Sequence, residues 1–236
     1  MSIGRIAAPQ ASNFLLTVLL SKPRVRRVSR TVVTVRTPTE EAPNELDGRA
    51  LRRLNSYERA VDALLDLIQS GNPAPTAQQI ADKSGISVRT VFRLTEDIES
   101  LHAAAVDRQI QRTAHLYVSL RATGGLGPRI RALVENRASV FEAIAPIRRV
   151  ADRLAGTSPQ IAEGLALHHR LLQAQIAELF GQEFSAISRV RRPDALNAAD
   201  VAAGWETWDT LRRQKGLSLP SSARVVRLLL EGVLGR

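Results

Sequence analysis

The chain contains no cysteine, a single methionine and four histidines, His102, His115, His168 and His169. The missing cysteines exclude disulfide frameworks, thiolate zinc sites and cysteine nucleophiles, and so few histidines leave little for a transition-metal site. Long hydrophobic runs are also lacking. The stretch Phe14 to Leu20 is interrupted by Thr17 and falls far short of the roughly 20 residues of a membrane span. It has no small-x-small cleavage site, so neither a signal peptide nor a membrane partner is expected, and the expected location is cytoplasmic. No Gly-rich phosphate loop, metal-ligand spacing or nucleophile elbow is present. No cofactor, metal or catalytic residue is therefore expected, and an enzyme remains open only through acids and histidines assembled in space.

What the chain does have is apolar residues, at 44% of 236, enough for a packed core. It also has positive charge: 33 Lys and Arg against 23 Asp and Glu, a net +10. The charge is uneven. Residues 1–36 carry seven basic groups and no acid; residues 50–110 carry seven basic and eight acidic, a net −1; residues 111–236 carry eighteen and eleven, a net +7. A sequence pI near 11.2 points to a polyanionic partner such as nucleic acid. GC-rich coding is the blander source of the same excess, since 30 of the 33 basic residues are Arg and 32 residues are Ala.

Residues 1–48 read as a basic tail, expected to be disordered. Lys22 to Arg30 is a basic run, and Thr37 to Pro43 is a polar, Pro-punctuated linker. Val32, Val33 and Val35 are β-prone, but a lone short strand makes no stable sheet. The tail is either a DNA-contacting arm or a stretch added by an early start codon. From Ala50 onward the period is helical. Leu51, Leu54, Val61, Leu64, Leu65 and Ile68 form one apolar stripe that ends at Gly71 to Pro73. Thr76 and Gln79 form a capping box for a short helix stopping near Gly85, and Ser87 caps the next, over Val88 to Arg93. Thr95 caps a fourth, with Glu96, Asp97 and Glu99 in its first turn, running to about Leu120 ahead of Gly124 and Gly125. A helix from near Pro128 bends at Pro146, and Ser158-Pro159 opens another to about Gly181. Asn197 caps one that ends at Lys215-Gly216, and Ser221 or Ser222 opens the last. The expected class is all-α.

The segment Thr76 to Leu101 carries the most information. Ala81 allows two short helices to cross closely, Gly85 supplies a left-handed turn, and Ile80, Ile86 and Val91 make a miniature core. This is the pattern of a helix-turn-helix, whose second helix lies in the DNA major groove. At Thr76, Ile80-Ala81, Gly85-Ile86-Ser87, Thr90-Val91-Phe92, Glu99 and Leu101 the sequence resembles the DNA-binding domain of the tetracycline-repressor (TetR) family of ligand-responsive regulators. The resemblance is sharp over about residues 50–110 and extends beyond them in architecture only.

After the tail over 1–48, that resemblance implies two parts: a three-helix helix-turn-helix domain over 49–110, and a larger helical ligand-binding and dimerisation domain over 111–236. It also implies a homodimeric regulator, by expectation a repressor, with a palindromic double-stranded DNA operator and an unidentified small-molecule effector as partners. Phe92 stands where the family has Tyr, Leu94-Thr95 where it has His-Phe, and Ile98 where it has Lys, so three phosphate-directed groups are absent. Either the operator is bound weakly or Arg49, Arg52, Arg53, Arg89, Arg93 and the tail compensate. A degenerate relative acting through protein contacts, with weak or no specific DNA binding, is the alternative; a basic binder indifferent to sequence is a further one.

The expected DNA-binding set is Thr76, Ser87, Val88, Arg89, Thr90, Phe92, Arg93, Arg52 and Arg53. Arg89 either pairs with guanine O6 and N7 or holds a phosphate. Thr76 matches the family's backbone-contacting Thr, Ser87 and Thr90 bind phosphate or cap, and Phe92 reads as core once its hydroxyl is gone. In the C-terminal part, Trp205, Trp208, Val226, Leu229, Leu230 and Val233 are the expected dimer interface; packing of the Trp pair within the chain's own core is the other reading. His168 and His169 point to different sides of a helix and do not chelate. Phe141, His115, Tyr117 and Trp205 are possible walls of a ligand pocket whose ligand the sequence does not name.

Overall fold

A computed structural model describes residues 48–94, 98–118, 120 and 124–235. The expected tail apart from Gly48, and the Thr95 cap with Glu96 and Asp97, lie outside the described residues, as do the side chains of Arg49, Ile98 and Glu99. Among the described residues every regular element is helical, so the all-α class holds.

The first helix, α1 (Gly48–Gln69), buries Ala60, Val61, Leu64, Leu65 and Ile68. Its apolar stripe is shorter than expected. Leu51 and Leu54 are 47% and 49% exposed, because only the later turns of α1 carry the buried stripe. Gly71, at φ 99°, turns the chain out of α1. Two short helices follow, α2 (Ala77–Ser84) and α3 (Val88–Leu94), and then α4 (Ile98–Thr113) with a tight turn over Ala114–Leu116. The expected continuation of α4 to Leu120 is corrected. The Thr113 hydroxyl donates back to the Gln109 carbonyl at 2.7 Å, and Asn136 takes the Leu116 carbonyl at 2.7 Å, so the chain leaves the helix with its polar groups satisfied.

The long α5 (Leu126–Leu154) carries Pro146 inside it and continues for two further turns; α6 (Pro159–Leu179) is capped by Ser158 with proline at its first position, as expected. After α7 (Gly181–Ala186), the single helix expected over 198–215 is replaced by α8 (Arg192–Ala202), α9 (Trp205–Asp209) and a wide turn over Thr210–Gln214. The break falls at Gly204, where a Cβ would lie 2.9 Å from the Asp200 carbonyl oxygen, so only glycine lets the chain turn so closely. Asn197 consequently lies inside α8. The last helix, α10 (Leu219–Leu234), is capped by Ser218, which accepts the Ser221 N–H at 3.3 Å; Ser221 and Ser222 lie within the helix instead of opening it.

The helix α4 sits at the centre, against α1, α5 and α6, while α5 also packs on α10, and α8 bridges α6 and α10. One apolar core runs through all of this, from Leu65 of α1 through Leu133 and Phe141 of α5 to Leu230 of α10. Phe141 meets the Trp205 ring edge-on at 5.8 Å and the Trp208 ring at 6.3 Å.

Candidate nucleic-acid interface

The unit α2–turn–α3 is built by local chemistry. The Thr76 hydroxyl accepts the Gln79 N–H at 3.2 Å and the Gln79 carboxamide oxygen accepts the Thr76 N–H at 2.9 Å, which closes the expected capping box. At the other end Gly85 takes φ 65°, and its N–H donates to the Ala81 carbonyl at 2.8 Å. Arg59 of α1 donates to the Ser84 carbonyl, placing a cation on the negative end of α2. Sequence reasoning missed this arginine. A Cβ at position 85 would meet the Arg59 guanidinium at 2.7 Å.

Ile80, Ala81 and Val91 are buried at 3% exposure or less and Ile86 is half-buried, so the miniature core is as expected. With Val91 turned inward, Arg89, Phe92 and Arg93 of α3 are exposed. Phe92 is 62% exposed, which corrects its expected core role: it follows Val91 by about 100° around the helix and so leaves the buried side. Ser87 is exposed and caps α3, accepting the Thr90 N–H at 3.1 Å, and its hydroxyl pairs with that of Thr90 at 2.8 Å. Val88 and Thr90 are half-buried, while Thr76, Arg52 and Arg53 are exposed, the two arginines on the first turns of α1.

Three acids of this region are directed elsewhere. Glu58, Asp62 and Asp66 follow one another four residues apart on α1 and face Arg108 and Arg112 of α4. Arg108 bonds Glu58 and, at 2.7 Å, Asp62; Arg112 bonds Asp62 at 3.0 Å and Asp66 at 2.8 Å. Among the described residues no ion pair engages Arg52, Arg53, Arg89 or Arg93. A region of net charge −1 thus spends acids in binding α1 to α4 and keeps those four arginines at the surface.

The C-terminal helices hold two concave features. Between α4, α5 and α6 lies a cavity of about 40 Å³. Its walls are mostly apolar, including Val106, Ile144, Ile147 and Leu165, with Gln109, Tyr117, Arg148 and His168 as polar members. The Tyr117 hydroxyl lies 3.0 Å from His168 Nε2, and Arg148 Nη1 lies 3.3 Å from His168 Nδ1. Burial pushes the Tyr117 hydroxyl up to about 12, and burial aided by Arg148 and Arg137 pushes His168 down to about 3. Gln109 is 3% exposed, takes a hydrogen bond from Gln69 of α1 at 2.6 Å and gives one to the Ala143 carbonyl of α5 at 2.9 Å. Sequence reasoning found Tyr117 as a possible wall but not Gln109 or Arg148. His115 is exposed, Phe141 lies in the core, and His169 pairs with Asp200 at 3.0 Å on another side from His168.

The second feature is a groove of about 650 Å³ between α7, α8 and α10, lined by Ile187, Ala195, Ala198, Leu228, Leu229 and Val233. Four of the six residues expected at a dimer interface are in the chain's own core instead: Trp205 4%, Trp208 2%, Val226 1% and Leu230 0% exposed. The indole N–H groups are satisfied internally, by Asp152 and Glu142 at 2.8 and 2.9 Å. Leu229, 44% exposed, and the half-buried Val233 are the two that face the groove.

Among the described residues no group of His, Asp or Glu could hold a metal ion, and no helix is long and apolar enough to cross a membrane. No protein-family model matches the chain, and no curated protein matches it. Among solved structures it is similar to the crystal structure of a transcriptional regulator from Rhodococcus sp. Rha1, with a TM-score of 0.58 and 16% sequence identity, over 76% of this chain and 96% of that one. At that identity the likeness shows a shared fold.

Proposed function

We propose that the chain is a cytoplasmic transcriptional regulator of the TetR kind, a homodimer that binds a palindromic DNA operator and releases it when a small molecule binds among the C-terminal helices. The α2–turn–α3 unit carries this reading. A left-handed glycine, a capping box and one buried valine present Arg89, Phe92 and Arg93 on an exposed helix of two turns. Such a helix fits the major groove with its first residues against base edges. The fold shared with a transcriptional regulator supports the reading.

In this reading residues 49–110 form the DNA-binding domain and 111–236 the ligand-binding and dimerisation domain. Arg89 reads a base edge, Arg93, Arg52 and Arg53 hold phosphates, and Thr76, Ser87, Val88 and Thr90 set the approach of the backbone. Two copies pack α8 and α10 against α8 and α10 through Leu229 and Val233, placing the α3 helices about 34–36 Å apart, one turn of DNA. The effector changes that spacing, and it shifts the equilibrium only by its differential affinity for the two arrangements.

The experiment is selection from a random duplex-DNA pool by the full chain. An enriched palindrome supports the regulator; no enrichment by a folded, dimeric protein favours the degenerate relative acting through protein contacts.

A further inference from the structure

We propose that the cavity between α4, α5 and α6 binds a short-chain carboxylate, whose oxygens accept hydrogen bonds from the Tyr117 hydroxyl and an Arg148 N–H. The regulatory meaning of this site rests on the proposed function; the binding itself does not.

The direction of the hydrogen bonds leads there. A guanidinium only donates, so at 3.3 Å the Arg148 Nη1 makes His168 Nδ1 the acceptor. Neutral His168 then carries its proton on Nε2 and donates it to the Tyr117 oxygen at 3.0 Å. With its oxygen already accepting, Tyr117 has its own O–H left to give. The neighbouring Thr113 hydroxyl gives its own proton to the Gln109 carbonyl at 2.7 Å, which leaves its oxygen as the acceptor for Tyr117 within the chain; a carboxylate is a stronger acceptor than any hydroxyl and displaces it. Arg148 has side-chain exposure of only 10% and gives three of its five N–H groups to Asp152, Glu206 and His168. It faces the cavity with donors to spare. Arg137, 1% exposed, adds a second buried positive charge close enough to act on Tyr117; it bonds the neutral Gln175 and the Leu172 carbonyl, with Asp200 as the acid near enough to act on it. An anionic head is thus favoured over a neutral one.

Size and shape decide the body. About 40 Å³ is the space of roughly three water positions, which suits a small acid. The rest of the lining, including Val106, Ile144, Ile147 and Leu165, is aliphatic. Gly164 of α6 also lines the cavity, and a Cβ there would meet nothing within 4 Å. Glycine inside a helix is disfavoured, and no close approach of another chain segment requires it here; its effect is to leave the cavity open.

Calorimetric titration of the full chain with sodium propionate, and with 1-propanol as the uncharged control, tests the proposal. We expect saturable binding of propionate, at least tenfold weaker binding of 1-propanol, and a loss of about tenfold or more in propionate affinity in Tyr117→Phe. Gly164→Leu sets a side chain on the cavity wall, where its Cβ meets nothing, and should abolish binding; retained helical circular dichroism and melting temperature show that the variant is folded. Absence of propionate binding by folded protein overturns the proposal. So does equal affinity for the alcohol, or unchanged binding in Gly164→Leu, which would put the acid elsewhere. No DNA is present in the titration, so a chain that binds propionate but selects no duplex contradicts the regulator and leaves the site standing, and the reverse result does the opposite.

Discussion

At the scale of single residues, Arg89 and His168 carry the sharpest expectations. Arg89 is exposed near the start of α3, with no acid paired to it among the described residues. Replacing it with Ala should relax base preference at one position in each half-site, a loss of about 1–3 kcal/mol of discrimination. Repeating the duplex selection with the variant checks this, and an unchanged preference profile would remove Arg89 from base reading. His168 is held neutral by burial first and by the charges of Arg148, Arg137 and His169 second, with its pKa lowered from 6.5 to about 3. The unfolded chain takes up that proton below about pH 6.5, whereas the folded chain waits until about pH 3. The stability that neutral His168 permits is complete above the unfolded pKa and drains as the pH falls through this window, by at most about 1.4 kcal/mol per pH unit. Urea midpoints between about pH 7 and pH 5 should therefore fall less steeply in His168→Asn than in the parent chain; parallel slopes would contradict the buried neutral imidazole.

At the scale of elements, the local signals were legible and the long-range ones were not. Thr76, Gly85, Ser87 and Ser158-Pro159 act on backbone groups within a few residues, so their caps and turns are readable from the sequence, and the structure has them where expected. Phe92 and the Trp205–Trp208 pair mark the limit of such reading: Phe92 lies about 100° around α3 from the buried Val91 and is exposed, and the Trp pair is covered by the chain's own core, the second of the two readings its sequence allows. The break at Gly204 is itself local, its Cβ position facing the Asp200 carbonyl four residues back, and a glycine inside the helical pattern is the signal that marks it. The ion-pair ladder between α1 and α4 lies between these cases. Three acids at spacing four on one helix are a mutually repelling row, a sign that cations would come from elsewhere, although not that Arg108 and Arg112 would supply them. Asp62 bonds both arginines. Because all five side chains are partly solvated, Asp62→Asn should cost only about 0.5–1 kcal/mol, and less at high salt. Thermal melts of both proteins at low and high salt measure it, and a loss that does not shrink with salt would argue against an electrostatic origin.

At the scale of the whole molecule, α4 is the element that every proposed function shares. It holds α1 and with it the α2–α3 unit, it walls the cavity with Val106 and Gln109, and it packs on α5 and α6. Gln109 alone links Gln69 of α1, the Ala143 carbonyl of α5 and the cavity, so a ligand that moves α4 moves the helix to which the arginine-bearing unit is fastened. The proposed dimer would rest on the face of α10 that the chain leaves uncovered. Leu229→Glu should convert dimer to monomer in sedimentation experiments with little change in helix content, since Leu229 is 44% exposed in the single chain; a dimer that survives it would place the interface elsewhere. The most direct test of the regulator is the affinity of the full chain for its selected duplex and for a shuffled duplex, at about 50 mM and about 200 mM salt. We expect the selected duplex to be preferred by a factor of about a thousand or more at both, with both affinities falling steeply as salt rises. Equal affinity for the two duplexes would reduce the protein to a basic binder indifferent to sequence, and no affinity for either would contradict DNA recognition by α3.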